Sequence, residues 1–102
     1  MAKAKHLEPI PPGEVLLEEF MKPHGLSQNR LARDLDLSPA RVHYVVHGRS
    51  VITANVALRL AKYFRTTPQF WLNLQTEYDL RKAQREIGQA IESRVRTLDA
   101  AE

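Results

Sequence analysis

The stretch from Leu26 to Arg49, LSQNRLARDLDLSPARVHYVVHGR, leaves the chain little choice of fold. Serine at a helix N-cap accepts a hydrogen bond from an otherwise unpaired backbone N–H. Ser27 and Ser38 therefore mark the starts of two short helices, and Pro39 suits the first helical position, where its missing N–H costs nothing. Leu31, Ala32 and Leu35 form the inward side of the first helix, Gln28 to Leu35. Val42 and Val45 or Val46 form that of the second, Pro39 to His47. Asp36 falls in the turn between them, where the chain needs a positive φ that aspartate tolerates better than most residues. Leu37 plugs the turn into the core, and Gly48 closes the second helix. Two capped helices at this separation form a helix-turn-helix, whose second helix can enter the major groove of DNA.

With the valines turned inward, Ser38, Pro39, Ala40, Arg41, His43 and Tyr44 are left on the outer side of the second helix. Gln28, at the start of the first, can donate its amide to a phosphate oxygen. Arg41 can meet either a guanine edge or a phosphate, and Pro39 and Ala40 can pack on a thymine methyl. His43 and Tyr44 can donate to bases or backbone, although Tyr44 also suits a half-buried packing role. Arg49 lies just past the helix, within reach of phosphate. Charge agrees with this placement. Residues 27–68 hold seven Lys/Arg against two Asp/Glu, whereas residues 1–26 and 69–102 are each slightly acidic. The net charge of +3 is thus concentrated around the motif, which suits a phosphate-binding surface; an ordinary solvated surface is the alternative reading of the charge alone.

The flanks complete an all-α, five-helix domain. Residues 1–11 carry Lys3, Lys5, Pro9 and Pro11 and read as a flexible arm. The domain proper is expected over 12–80. Its first helix runs from Glu14 to Lys22, with Val15, Leu16 and Phe20, and Leu17 in part, facing inward; Pro23 and Gly25 stop it. Thr53 caps a fourth helix, Ala54 to Phe64, burying Val56, Ala57, Leu60, Ala61 and Phe64. Thr67 and Pro68 open a fifth, where Phe70, Trp71 and Leu74 close the core. Its pattern continues through 81–102 as an extension. Leu80, Ile87, Ile91, Val95 and Leu98 make an apolar stripe, and Glu77 with Arg81 and Glu92 with Arg96 make i,i+4 pairs. A five-helix core has no use for that stripe, so a second copy or another partner is the preferred reading. Folding back on the domain, or fraying after Gly88, are the alternatives.

Other chemistries find little support. His43 and His47 have metal-ligand spacing, but no acidic or cysteine ligand stands near them, so no metal or other cofactor is expected. The serines read as caps, no Gly-rich phosphate loop is present, and Glu18 and Glu19 diverge on their helix, all of which argues against an enzyme. Charged residues interrupt every apolar run, so neither a membrane span nor a signal-peptide core is expected. The absence of cysteine fits the cytoplasm.

Ser27-Gln28-x-x-Leu31-Ala32 and the residues through Gly48 resemble the lambda-repressor-like (XRE) helix-turn-helix domains. Three further stretches resemble the HigA-type antitoxins of bacterial toxin–antitoxin modules. They are Pro12-Gly13-Glu14-Val15-Leu16-Leu17-Glu18-Glu19-Phe20, His47-Gly48-Arg49-Ser50-Val51-Ile52-Thr53-Ala54, and Ala57 through Phe64 followed by Thr67-Pro68-x-Phe70-Trp71-Leu72-Asn73-Leu74-Gln75. The likeness spans about residues 12–80; Asp36 departs from it, since glycine is commoner there. The resemblance implies a homodimer that represses its own operon at a palindromic operator. It also implies neutralisation of a HigB-like toxin, a small ribonuclease that cleaves messenger RNA on the ribosome. By position, Gln28 would be a phosphate contact, and Ser38 to Arg41 and Tyr44 would lie at the groove. The Pro-rich arm with the first helix, or the C-terminal helix, could hold the toxin; dimerisation through the C-terminal half is the favoured arrangement. A stand-alone XRE-type regulator without a toxin is the alternative function, and a scaffold that has lost DNA binding a third.

Overall fold

The computed structural model describes residues 8–99, so Lys3 and Lys5 of the expected arm lie outside it. Five helical stretches follow in order, and among the described residues there is no strand. Helix α1 begins at Pro12–Val15 and continues as a π-helical turn over Leu16–Met21 and a 3-10 turn over Lys22–His24. Then come α2 (Gln28–Leu35), α3 (Pro39–Val46), α4 (Ala54–Phe64) and α5 (Pro68–Arg94).

The capping chemistry read from the sequence is present at every start it marked. The hydroxyls of Ser27, Ser38, Thr53 and Thr67 each accept from the backbone N–H three residues on, at 3.0, 3.1, 3.3 and 3.1 Å. Asp36 sits in the left-handed region (φ 59°). Its strain is offset from outside the motif. One guanidinium nitrogen of Arg59, on α4, donates to the carbonyls of Leu35 and Asp36 at 2.8 and 3.0 Å. The turn is thereby tied to the neighbouring helix. Arg65 is a second non-glycine residue with positive φ (62°), closing α4; nothing in its side chain announces that role.

The first helix departs from the expected continuous α-helix. The N–H of Lys22 donates to the carbonyl of Leu17, five residues back. This wider turn brings Leu16 and Met21 onto the same inward side, and both are 1% exposed. Val15, expected inward, is only partly covered. Phe20 is also partly buried, with its ring 4.8 Å from Trp71 and 5.1 Å from Phe64. Trp71 is fully buried at the centre of the core, and its indole N–H donates to Thr66 Oγ1 at 2.7 Å. The remaining core is largely the expected one: Leu31, Ala32 and Leu35 from α2, all three valines of α3, and Val56, Ala57, Leu60 and Ala61 from α4. Ile52, from the loop before α4, joins it. Phe64 and Leu74 pack on its edge, partly covered, and Phe70 is 37% exposed.

Tyr63 of α4 donates its hydroxyl to Asp34 of α2 at 2.6 Å. That hydrogen bond, helped by the charges of Arg30 and Arg33, holds the Asp34 carboxyl below its ordinary range. The same bond raises the Tyr63 hydroxyl above its own range, against the pull of the two arginines. Helix α5 is 27 residues long, or about 40 Å, and gives the molecule its long dimension of 58 Å. Only its first half packs on the domain. Leu80, Ile87 and Ile91 remain 63%, 50% and 47% exposed. The helix ends at Arg94, short of the expected Leu98, and Arg96 lies beyond it. Glu77 and Arg81 pair at 2.7 Å. Glu8, from the segment ahead of α1, pairs with Arg85 of α5 at 3.2 Å.

Candidate nucleic-acid interface

The candidate surface is built by three constraints on α3. At its start, Ser38 and Pro39 fix the first turn, with the Arg41 N–H closed onto Ser38 Oγ at 3.1 Å. Along its length, Val42, Val45 and Val46 anchor the inner side at 6% exposure or less. That anchoring leaves Ser38, Pro39, Ala40, His43 and Tyr44 exposed, with Arg41 partly so. Tyr44, at 45% exposure, is an outward residue rather than a core one. At its end, His47 caps the helix and Gly48 turns with φ 75°. The N–H groups of Arg49 and Ser50 then donate to the Tyr44 carbonyl at 2.8 and 3.2 Å, which holds Arg49, also exposed, against the helix terminus.

Gln28 opens α2 beside this surface, so all eight residues expected from the sequence occur on α2, on α3 with its N-cap Ser38, or in the turn that follows. The side chain of Gln28 is not free. His43 Nδ1 lies 3.2 Å from its Oε1, and His47 Nε2 lies 3.4 Å from its Nε2. The i,i+4 spacing of the two histidines puts their rings 4.2 Å apart on one side of α3. That geometry is used on an amide: among the described residues, no three His, Cys, Asp or Glu side chains come together as a metal site.

Two positioning residues were not legible in the sequence. Gly13 lies where α1 meets the end of α3. A Cβ built on it would stand 2.2 Å from the carbonyl oxygen of Val45 and 2.5 Å from that of Val46. Only glycine permits this approach, and it sets the angle of α3 against the body. Gln75 of α5 is buried, and its Oε1 accepts the Ile52 N–H at 2.7 Å. This bond pins the loop leaving α3 to the helix that closes the core. A buried glutamine within a largely polar helix gives no sequence signal of a loop partner 23 residues earlier.

The surface joins a capped helix carrying Arg41, with Arg49 just past its end, to the start of α2, whose Gln28 amide lies between the His43 and His47 rings. Such an arrangement can grip phosphates and present side chains to base edges. A helix-turn-helix family model (HTH_3) matches residues 17–71. Virulence-associated protein I of Dichelobacter nodosus is 49% identical over 77 residues, 76% of this chain and 71% of that protein. Antitoxin HigA-1 of Vibrio cholerae is 39% identical over 80 residues, 78% and 74% of the two chains. The Pseudomonas aeruginosa antitoxin HigA, solved with the higBA promoter, is 41% identical with a TM-score of 0.86, across 90% of this chain and all of that one. No helix among the described residues is long and apolar enough to cross a membrane. With its capped motif, its five-helix core and these relatives, the chain belongs to the helix-turn-helix family and, within it, to the HigA-type antitoxins.

Proposed function

We propose that this protein is a cytoplasmic antitoxin that, as a homodimer, represses its own operon at a palindromic operator and neutralises a HigB-like ribonuclease toxin. The observation that carries the DNA half is the outward set on α3 beside Gln28, in a fold matching an antitoxin solved with its promoter. In this reading Gln28 and Arg49 meet phosphates. Ser38, Pro39, Ala40, Arg41, His43 and Tyr44 face the major groove. The exposed Leu80–Ile91 stripe supports pairing of two copies through α5, with recognition helices about one DNA turn, roughly 34 Å, apart. The toxin half is supported by the family alone.

The test is a gel shift on the chain's own promoter, with and without the co-expressed product of the neighbouring gene. Arg41→Ala and Tyr44→Ala each weaken operator binding by about 1–3 kcal/mol if they read bases. Normal operator affinity in both variants refutes the groove assignment. Promoter binding without any co-purifying neighbour makes the chain a stand-alone regulator instead.

A further inference from the structure

Gln28 faces both imidazoles of α3, and the chemistry of an amide restricts what those rings can be. The oxygen of a primary amide only accepts hydrogen bonds and its nitrogen only donates. With Oε1 at His43 Nδ1 and Nε2 at His47 Nε2, the first ring nitrogen carries a proton and the second does not. Turning the amide over exchanges the two roles and moves the NH2 group to the His43 side. In either orientation one histidine donates to Gln28 and the other accepts from it. Two hydrogen bonds from different positions on α3 restrain one side chain of α2. The amide nitrogen has two hydrogens, and whichever histidine accepts takes one. The other is left for an acceptor outside the chain.

We propose that His43 and His47 are positioning residues for DNA binding: together they clasp the Gln28 amide and hold its second hydrogen ready for a backbone phosphate. This rests on the reading of α2 and α3 as the DNA interface with Gln28 at a phosphate, and in it His43, though on the groove side, acts through Gln28 rather than on a base. A free glutamine loses rotamer freedom when it binds. A clasped one has lost that freedom before DNA arrives. The spacing that suits two metal ligands instead matches the two ends of one amide.

The experiment titrates a labelled promoter duplex with the full chain at about pH 8, above the range in which histidine usually titrates, so that removing an imidazole removes little charge. The variants are Gln28→Ala, His43→Ala, His47→Ala and each histidine change combined with Gln28→Ala. Gln28→Ala is expected to weaken binding about tenfold. Each histidine change is expected to weaken it about three- to fivefold. In the Gln28→Ala background neither histidine change has a further effect. A role in stability alone, or a direct contact of histidine with DNA, would persist in that background. Equal losses in both backgrounds therefore overturn the clasp, as does an absence of loss in the otherwise unaltered chain. If Gln28→Ala binds normally, the clasp falls while the DNA reading stands. If the unaltered chain binds no promoter DNA, both fall.

Discussion

Replacing Gly13 with alanine tests how α3 is held. The added methyl would lie 2.2 Å from Val45 O, 2.5 Å from Val46 O and 2.8 Å from the Val46 carbonyl carbon. All three are backbone atoms, so no side-chain rotation relieves the contact. Reaching an ordinary carbon–oxygen separation requires the start of α1 and the end of α3 to part by about 1 Å. Across an eight-residue helix, about 12 Å long, that displacement corresponds to a tilt of about 5°. Forcing a methyl into a filled site typically costs about 1–3 kcal/mol. Alanine's better helix propensity returns at most about 1 kcal/mol, so the clash prevails. A net loss of about 1–2 kcal/mol should lower Tm by about 5–10 °C in a domain of this size. Thermal and urea melts followed by circular dichroism measure the loss. Operator affinity should fall more than affinity for random duplex, because phosphate attraction tolerates a tilt that base-edge hydrogen bonds do not. An unchanged or higher Tm would show that the two segments separate freely and would refute the close-packing argument.

Two further changes probe bonds at a distance from α3. Gln75→Ala leaves the Ile52 N–H buried without its acceptor, which should cost about 1–3 kcal/mol. Faster hydrogen exchange at the Ile52 amide would localise the loss, and unchanged protection there would sink the assignment. Tyr63→Phe removes the first cause of the low Asp34 titration. A carboxyl whose pKa falls on folding stabilises the fold above its unfolded value and loses that contribution as pH drops through the folded one. Asp34 in Tyr63→Phe should therefore titrate higher than in the parent chain, followed by carboxyl NMR. Its stability should also depend less on pH below about pH 4. An unmoved Asp34 titration would assign the shift to Arg30 and Arg33 alone.

Local chemistry made most of the fold legible. Ser27, Ser38, Thr53 and Thr67 announce helices because a cap acts on a backbone N–H three residues away. The inward valines of α3 follow from helical spacing, and Asp36 from the needs of a tight turn. What stayed hidden depends on contacts between distant residues. The π-helical turn places Met21 in the core through packing against other helices, and a pattern read at α-helical spacing misses it. Arg65 takes a left-handed conformation that its residue type disfavours. Gly13 precedes the helix start expected at Glu14 and shows no role by itself, but its lack of a side chain serves an approach to Val45 and Val46. The same division holds at the candidate site. Spacing alone identified the outward residues of α3 and the nearness of His43 to His47. The amide between those rings comes from α2, 15 and 19 residues earlier, and only the folded chain brings them together.

The bare half of α5 gives the chain an unusual sensitivity to length. A rigid helix transmits rotation, and each added residue turns everything beyond it by about 100°. One residue inserted between Gln75 and Leu80 would leave the core sequence intact and the Leu80–Ile91 stripe chemically unchanged. It would nevertheless swing that stripe by more than a quarter-turn relative to α3. Surface substitutions in this part of α5 should therefore be tolerated far better than insertions or deletions. Whatever meets the stripe meets it at an angle set by the number of residues between it and Trp71.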